Sequence, residues 1–111
     1  MMSKKSFVLL TSFLGLTFFI LFMIIVIPPL IAEPDIIGAF MAGFVNPYAS
    51  GYSLDVIITW CILATWIGYE STSIKGGWVC LILGIVPGVA LGFAAYLILR
   101  ERQLTTANKN L

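Results

Sequence analysis

From Phe7 to Leu30 the chain carries no charged residue. About 20 consecutive apolar residues span the hydrocarbon core of a bilayer, so this one run already points to a membrane helix. Lys4 and Lys5 precede it, as basic residues precede a secretory signal. Its apolar core is longer than the roughly 7–15 residues of such signals, and no small-residue cleavage pattern follows, since Leu30 sits three before any cut after Ala32. The expectation is an uncleaved first helix, about residues 7–30, ending at Pro28-Pro29. The rest of the chain agrees. It is 60% hydrophobic and 10% charged, with a mean hydropathy of +1.07, whereas soluble domains carry roughly 25% charged residues. The expected class is an all-α membrane protein of one domain, residues 1–111.

After the first helix, Glu33-Pro34-Asp35 reads as a helix start. The apolar run Ile36–Val45 behind it is too short to cross, at roughly 15 Å if helical. A short interfacial or re-entrant helix over about 34–45 is therefore expected between the first and second spans. Asn46-Pro47 marks a turn. Ser50, Gly51 and Ser53 are then expected to cap a second span over about 52–69, with Asp55 in its first turn as a further cap favoured by the helix dipole. Asn46, Tyr48, Tyr52 and Asp55 are the candidate polar site, joined near one surface by Glu33 and Asp35. Paired carboxylates beside tyrosines can divide acid and base roles. The same residues also suit helix ends and an aromatic belt.

The Glu70–Gly77 segment reads as a polar turn, and a third span is expected over about 78–99, followed by a loose polar tail, 100–111. Within that span Gly84, Gly88 and Gly92 recur every four residues, with Cys80 and Tyr96 extending the row. On a continuous helix they share a face that lets another helix approach closely, and Pro87 in their midst is expected to kink it. Three spans with the N-terminus inside divide the basic residues evenly, Lys4, Lys5 and Lys75 against Arg100, Arg102 and Lys109, so the positive-inside rule leaves orientation open. The N-terminal lysines and the acids Glu33, Asp35 and Asp55 favour a cytoplasmic N-terminus in a bacterial inner membrane.

The order of these features resembles a bacterial family of small three-helix membrane proteins, the domain of unknown function numbered 2834. The resemblance runs over about residues 7–102 and is carried by Asn46, Pro47, Asp55 and the tail motif Tyr96, Leu97, Arg100, Glu101 and Arg102. One departure is the Glu70–Gly77 turn, with one basic residue where several are expected. The resemblance implies a fold and a membrane location, and no activity.

Function is bounded chiefly by what is scarce. The chain has no histidine, the commonest general base and metal ligand. Cys61 and Cys80 lie in apolar runs without metal-ligand spacing and read as small hydrophobic residues. No metal site and no catalytic residue is indicated, no cofactor is specified, and the residues lean against an enzyme. A net charge of +1 gives no pull on nucleic acid. The expected partners are the lipid bilayer and a membrane protein or a second copy. The expected role is an accessory or assembly subunit packed against a larger membrane partner. The alternative is a binder or modifier of a lipophilic small molecule such as a pigment, quinone or isoprenoid.

Overall fold

The computed structural model describes residues 2–109, and every element in that range is helical. α1 (Lys4–Ile25) starts at Ser3, whose hydroxyl accepts from the Ser6 amide. α2 (Ile27–Ala32) follows after Val26 with little change of course, and its prolines sit in the first turn, where a missing N–H costs no helical bond. Pro28-Pro29 therefore does not end the helix as expected; the apolar rod runs from Lys4 to Ala32. α3 (Ile36–Met41) is capped by the Asp35 carboxylate on the Gly38 amide at 2.9 Å and runs into a 3₁₀ turn, Ala42–Phe44. This is the short helix expected between the first two long ones.

α4 (Pro47–Tyr69) begins several residues before the expected position. Asn46, not a serine, is its cap: the side-chain oxygen accepts from the Ala49 amide at 2.8 Å, and Pro47 fills the first helical position. Ser53 instead donates to the Gly43 carbonyl at 2.8 Å and ties the 3₁₀ turn to α4. The Lys4–Ala32 rod and α4 are both long and apolar enough to cross a membrane.

The expected third span is where the chain departs most from its sequence reading. Residues 78–99 do not form one helix. α5 (Gly77–Ile85) stops at Val86, which is extended at φ −139° and ψ 119°, the conformation a following proline imposes. α6 (Val89–Lys109) then folds back along α5. A Cβ at Gly92 would lie 2.5 Å from the Cys80 carbonyl oxygen and 2.6 Å from the Gly84 nitrogen, so the two backbones touch. Gly77 meets Tyr96 in the same antiparallel register. At nine residues α5 is about 13 Å long, far short of a bilayer crossing. Pro87 thus makes a hairpin rather than a kink. Nor is the tail loose from Arg100: it continues α6 as helix to Lys109.

α6 is the element that α1, α4 and α5 lie against. α1 runs antiparallel to it, with Gly15 against Ala94 and Phe18 against Gly88, and the Lys4 ammonium bonds the Thr105 hydroxyl. α4 descends beside the hairpin, Trp60 donating to the Leu81 carbonyl at 3.0 Å and Glu70 reaching Arg100. The core lies at this lower end, in Leu63, Ile67, Ile74, Cys80 and Tyr96. Following these contacts, Lys4, Lys5, Lys75, Arg100 and Arg102 gather at one end of a bundle 53 Å long, and Glu33 and Asp35 sit at the other.

The hairpin makes a sharp prediction. Gly92→Ala places its methyl against backbone that cannot rotate away, and should cost about 1–3 kcal/mol of stability. Gly68→Ala on α4 meets open space and should be neutral or gain up to about 1 kcal/mol. Thermal melts in detergent compare the two; equal effects would mean that α5 and α6 do not touch at Gly92.

Candidate functional site

The only salt bridge among the described residues joins the end of α4 to the middle of α6. Glu70 follows the last turn of α4, and Tyr96 and Arg100 lie one turn apart on α6, so both reach the same carboxylate. The Tyr96 hydroxyl donates to Oε1 at 2.6 Å, and the Arg100 Nε donates to Oε1 and Oε2 at 2.9 Å each. Trp66, one turn before Glu70, lies under the guanidinium at 5.6 Å and meets the Tyr96 ring edge-on at 5.5 Å and 73°. Phe93 closes the other side of the indole at 5.9 Å. One turn beyond Arg100, Gln103 accepts from the Lys75 amide at 2.8 Å and donates to the Lys75 carbonyl at 2.6 Å. Gly76, with φ +80°, supplies the left-handed residue that lets α5 start directly after this latch.

Partial burial pushes the Glu70 carboxyl up, but the hydrogen bonds from Tyr96 and Arg100 and the Arg100 charge outweigh it and hold the group below its ordinary range. Both carboxylate oxygens are engaged. The arrangement fixes three helices at one level and does not leave a free acid beside a base. It joins the core at Tyr96, which is fully buried.

The residues expected to form a polar site do not converge. Asn46 spends its side-chain oxygen on the cap of α4. Tyr48, Tyr52 and Asp55 are exposed on α4. Asp55 lies in the third turn, too far along to cap the helix, and its one hydrogen-bond contact is the Thr59 hydroxyl at 3.5 Å. Of the nearby acids, Asp35 caps α3, and Glu33 shares with it an open groove of about 500 Å³ lined by Val26, Pro29, Leu30 and Ala39. The glycines meet three different neighbours: Gly84 the Trp60 indole, Gly88 the Phe18 ring, and Gly92 the α5 backbone. They cannot form one helix face, because α5 carries the first and α6 the last. Cys61 is exposed and Cys80 buried, both as free thiols. Among the described residues no three His, Cys, Asp or Glu side chains are placed to hold a metal ion.

Glu70 is the residue whose role in the cluster the sequence does not announce. Tyr96 enters the sequence reading in the glycine row, Arg100 in the charge count, and both in the family resemblance, in each case without Glu70 as a partner. A signal was available: an aromatic hydroxyl and a guanidinium four residues apart share a helix face, and Glu70 is the acid that the turn before α5 brings opposite them.

Because Glu70 titrates lower in the folded chain than in the unfolded one, its contribution is complete above the ordinary carboxyl range. It is lost as pH falls toward the folded value. Melting temperature should therefore drop on acidification, and Glu70→Gln should start lower at neutral pH and show a shallower decline. Tyr96→Phe should cost about 1–2 kcal/mol by removing one charge-assisted bond. An acid profile unchanged by Glu70→Gln would detach this carboxylate from stability.

Neither a curated protein nor a solved structure matches the chain. One family does, over residues 10–102, a stretch that holds the Asn46-Pro47 start of α4, the hairpin, and the Glu70, Tyr96 and Arg100 cluster. The chain belongs to that family, described as Protein of unknown function DUF2834.

Proposed function

We propose that the protein is a small integral membrane subunit that packs against a larger membrane partner and carries no chemistry of its own. The observation behind this reading is how little of the two long helices is used inside the chain. Only Gly15 of α1 and Leu63 and Ile67 of α4 are buried. Large apolar side chains are left exposed along most of α1, α3 and α4. Exposed apolar surface on this scale calls for lipid or another protein.

In this reading α1–α2 and α4 cross the bilayer, while the α5–α6 hairpin enters about halfway from the basic end and returns. α3 lies along the opposite surface, its Ile36, Ile37 and Phe40 toward the lipid. Under this arrangement the charge count is no longer even. The hairpin returns α6 to the side of Lys4 and Lys5, so the basic residues share one end, which the positive-inside rule assigns to the cytoplasm. A bacterial inner membrane suits such a chain.

A second reading, a binder of a lipophilic small molecule, is favoured by the groove at Glu33 and Asp35, whose apolar lining and acidic mouth could seat a ligand with one polar end. Mild-detergent purification from the native membrane separates the two. The subunit reading expects a stable complex much larger than the 12.2 kDa chain; a lone chain that carries an extractable or coloured ligand overturns it in favour of the second.

The topology has its own test. Single cysteines at Ser3 and Thr106, in a background lacking Cys61 and Cys80, should both react with an impermeant thiol reagent from the same side. A cysteine at Asp35 should react from the other. Ser3 and Thr106 on opposite sides would restore a third full crossing.

A further inference from the structure

Lys4, Lys5 and Arg102 come together from two helices. α1 and α6 run antiparallel in one register, with Gly15 against Ala94 and the Lys4 ammonium on the Thr105 hydroxyl. That register sets Arg102, three residues before Thr105, about one turn along α1 from Lys4. The three cations line one open groove of about 460 Å³ together with Val8, Leu9 and Ser12. All three are exposed, and none takes part in the one salt bridge among the described residues. Arg100, two positions before Arg102, is neutralised by Glu70. Glu101 neither lines the groove nor pairs with these cations.

The groove is graded along its length. Lys5, Leu9 and Ser12 follow one another on a face of α1 at spacings of four and three, with Lys4 and Val8 in the next row. Charge is confined to one end. Directly beyond it Leu9 is 70% exposed, and the wall stays apolar as far as the Ser12 hydroxyl, roughly 10 Å along the helix from Lys5. A bare inorganic anion would use the cations and leave that wall unused. A ligand that answers both ends is an amphiphile with an anionic head and a hydrocarbon chain. Basic pockets between membrane helices take anionic lipid headgroups on the same grounds. Two ammonium groups and a guanidinium fork also supply charge-assisted donors for the oxygens of a phosphodiester.

We infer that this groove binds an anionic phospholipid, its phosphate held among Lys4, Lys5 and Arg102 and one acyl chain laid along Val8 and Leu9. This rests on the bilayer placement proposed above, in which the basic residues share one surface, and is independent of any partner protein.

Native mass spectrometry of the full chain in detergent, titrated with phosphatidylglycerol or phosphatidylcholine, tests this by giving the affinity of the first bound lipid. Phosphatidylglycerol should bind roughly tenfold tighter or more. Lys5→Gln and Arg102→Gln should each weaken it about fivefold, the effect of one cation near an anionic headgroup. Lys75→Gln removes the same charge from the same end but outside the groove, and should leave the affinity unchanged. Three outcomes overturn the inference: equal affinity for the two lipids, equal weakening by Lys5→Gln and Lys75→Gln, or glycerol phosphate binding as tightly as the whole lipid. The last would assign the cations to a free anion and give the apolar wall no part. The cysteine labelling described above tells which claim has failed. With Ser3 and Thr106 on one side of the membrane, a negative titration overturns the groove alone. With them on opposite sides, the bilayer placement and the groove fall together.

Discussion

One carboxylate sets the level at which the helices meet. Glu70 closes α4, and the Tyr96 and Arg100 donors that satisfy it belong to α6, so the end of one long helix is fixed against the middle of another. A lone charge in such a half-buried position would be costly, and removing any one partner leaves the others unsatisfied. The aromatic wall of Trp66 and Phe93 makes the geometry selective, because the guanidinium sits over the indole, 5.6 Å from its centroid. Once this level is set, the turn between α4 and α5 has a single place to run, and Gln103 takes up both its free backbone groups at Lys75.

The hairpin depends on that anchor and on the absence of side chains where its arms meet. Gly92 against the α5 backbone, Gly84 under Trp60 and Gly88 under Phe18 are three close approaches to three different neighbours. Together they bring α5 onto α6, α4 onto α5, and α1 onto the turn. Small residues matter here through contact distance, since close approach maximises the dispersion contacts that hold helices together where no hydrophobic difference exists between helix and lipid.

The sequence makes the long elements legible and their return paths obscure. The two apolar rods, the short helix between them and the Asn46-Pro47 junction follow from uncharged length and turn chemistry, because both signals are local. The cap of α4 expected at Ser50 and Ser53 lies instead at Asn46, since serine and asparagine compete for the same role and Pro47 at the first helical position tips the choice. The third element misled for a physical reason. A proline between glycines is compatible with a kinked span or a reversal, and the choice depends on whether the two arms can touch. That contact lies in backbone geometry at Gly92, and periodicity alone cannot report it. The cluster was hidden for the same cause: Glu70 and Arg100 stand thirty positions apart, and each on its own is an ordinary marker of a helix end.

The half-length hairpin gives the molecule a taper. On the proposed topology, with the basic end at one surface, four helical segments stand in the leaflet nearest Glu70, against two crossing segments and the surface helix α3 in the leaflet nearest Glu33. Such a chain would displace more lipid from one monolayer than from the other. Lateral pressure would act on that difference, so on this topology the free energy of the protein would vary with the packing and curvature of the two leaflets, independently of any ligand or partner.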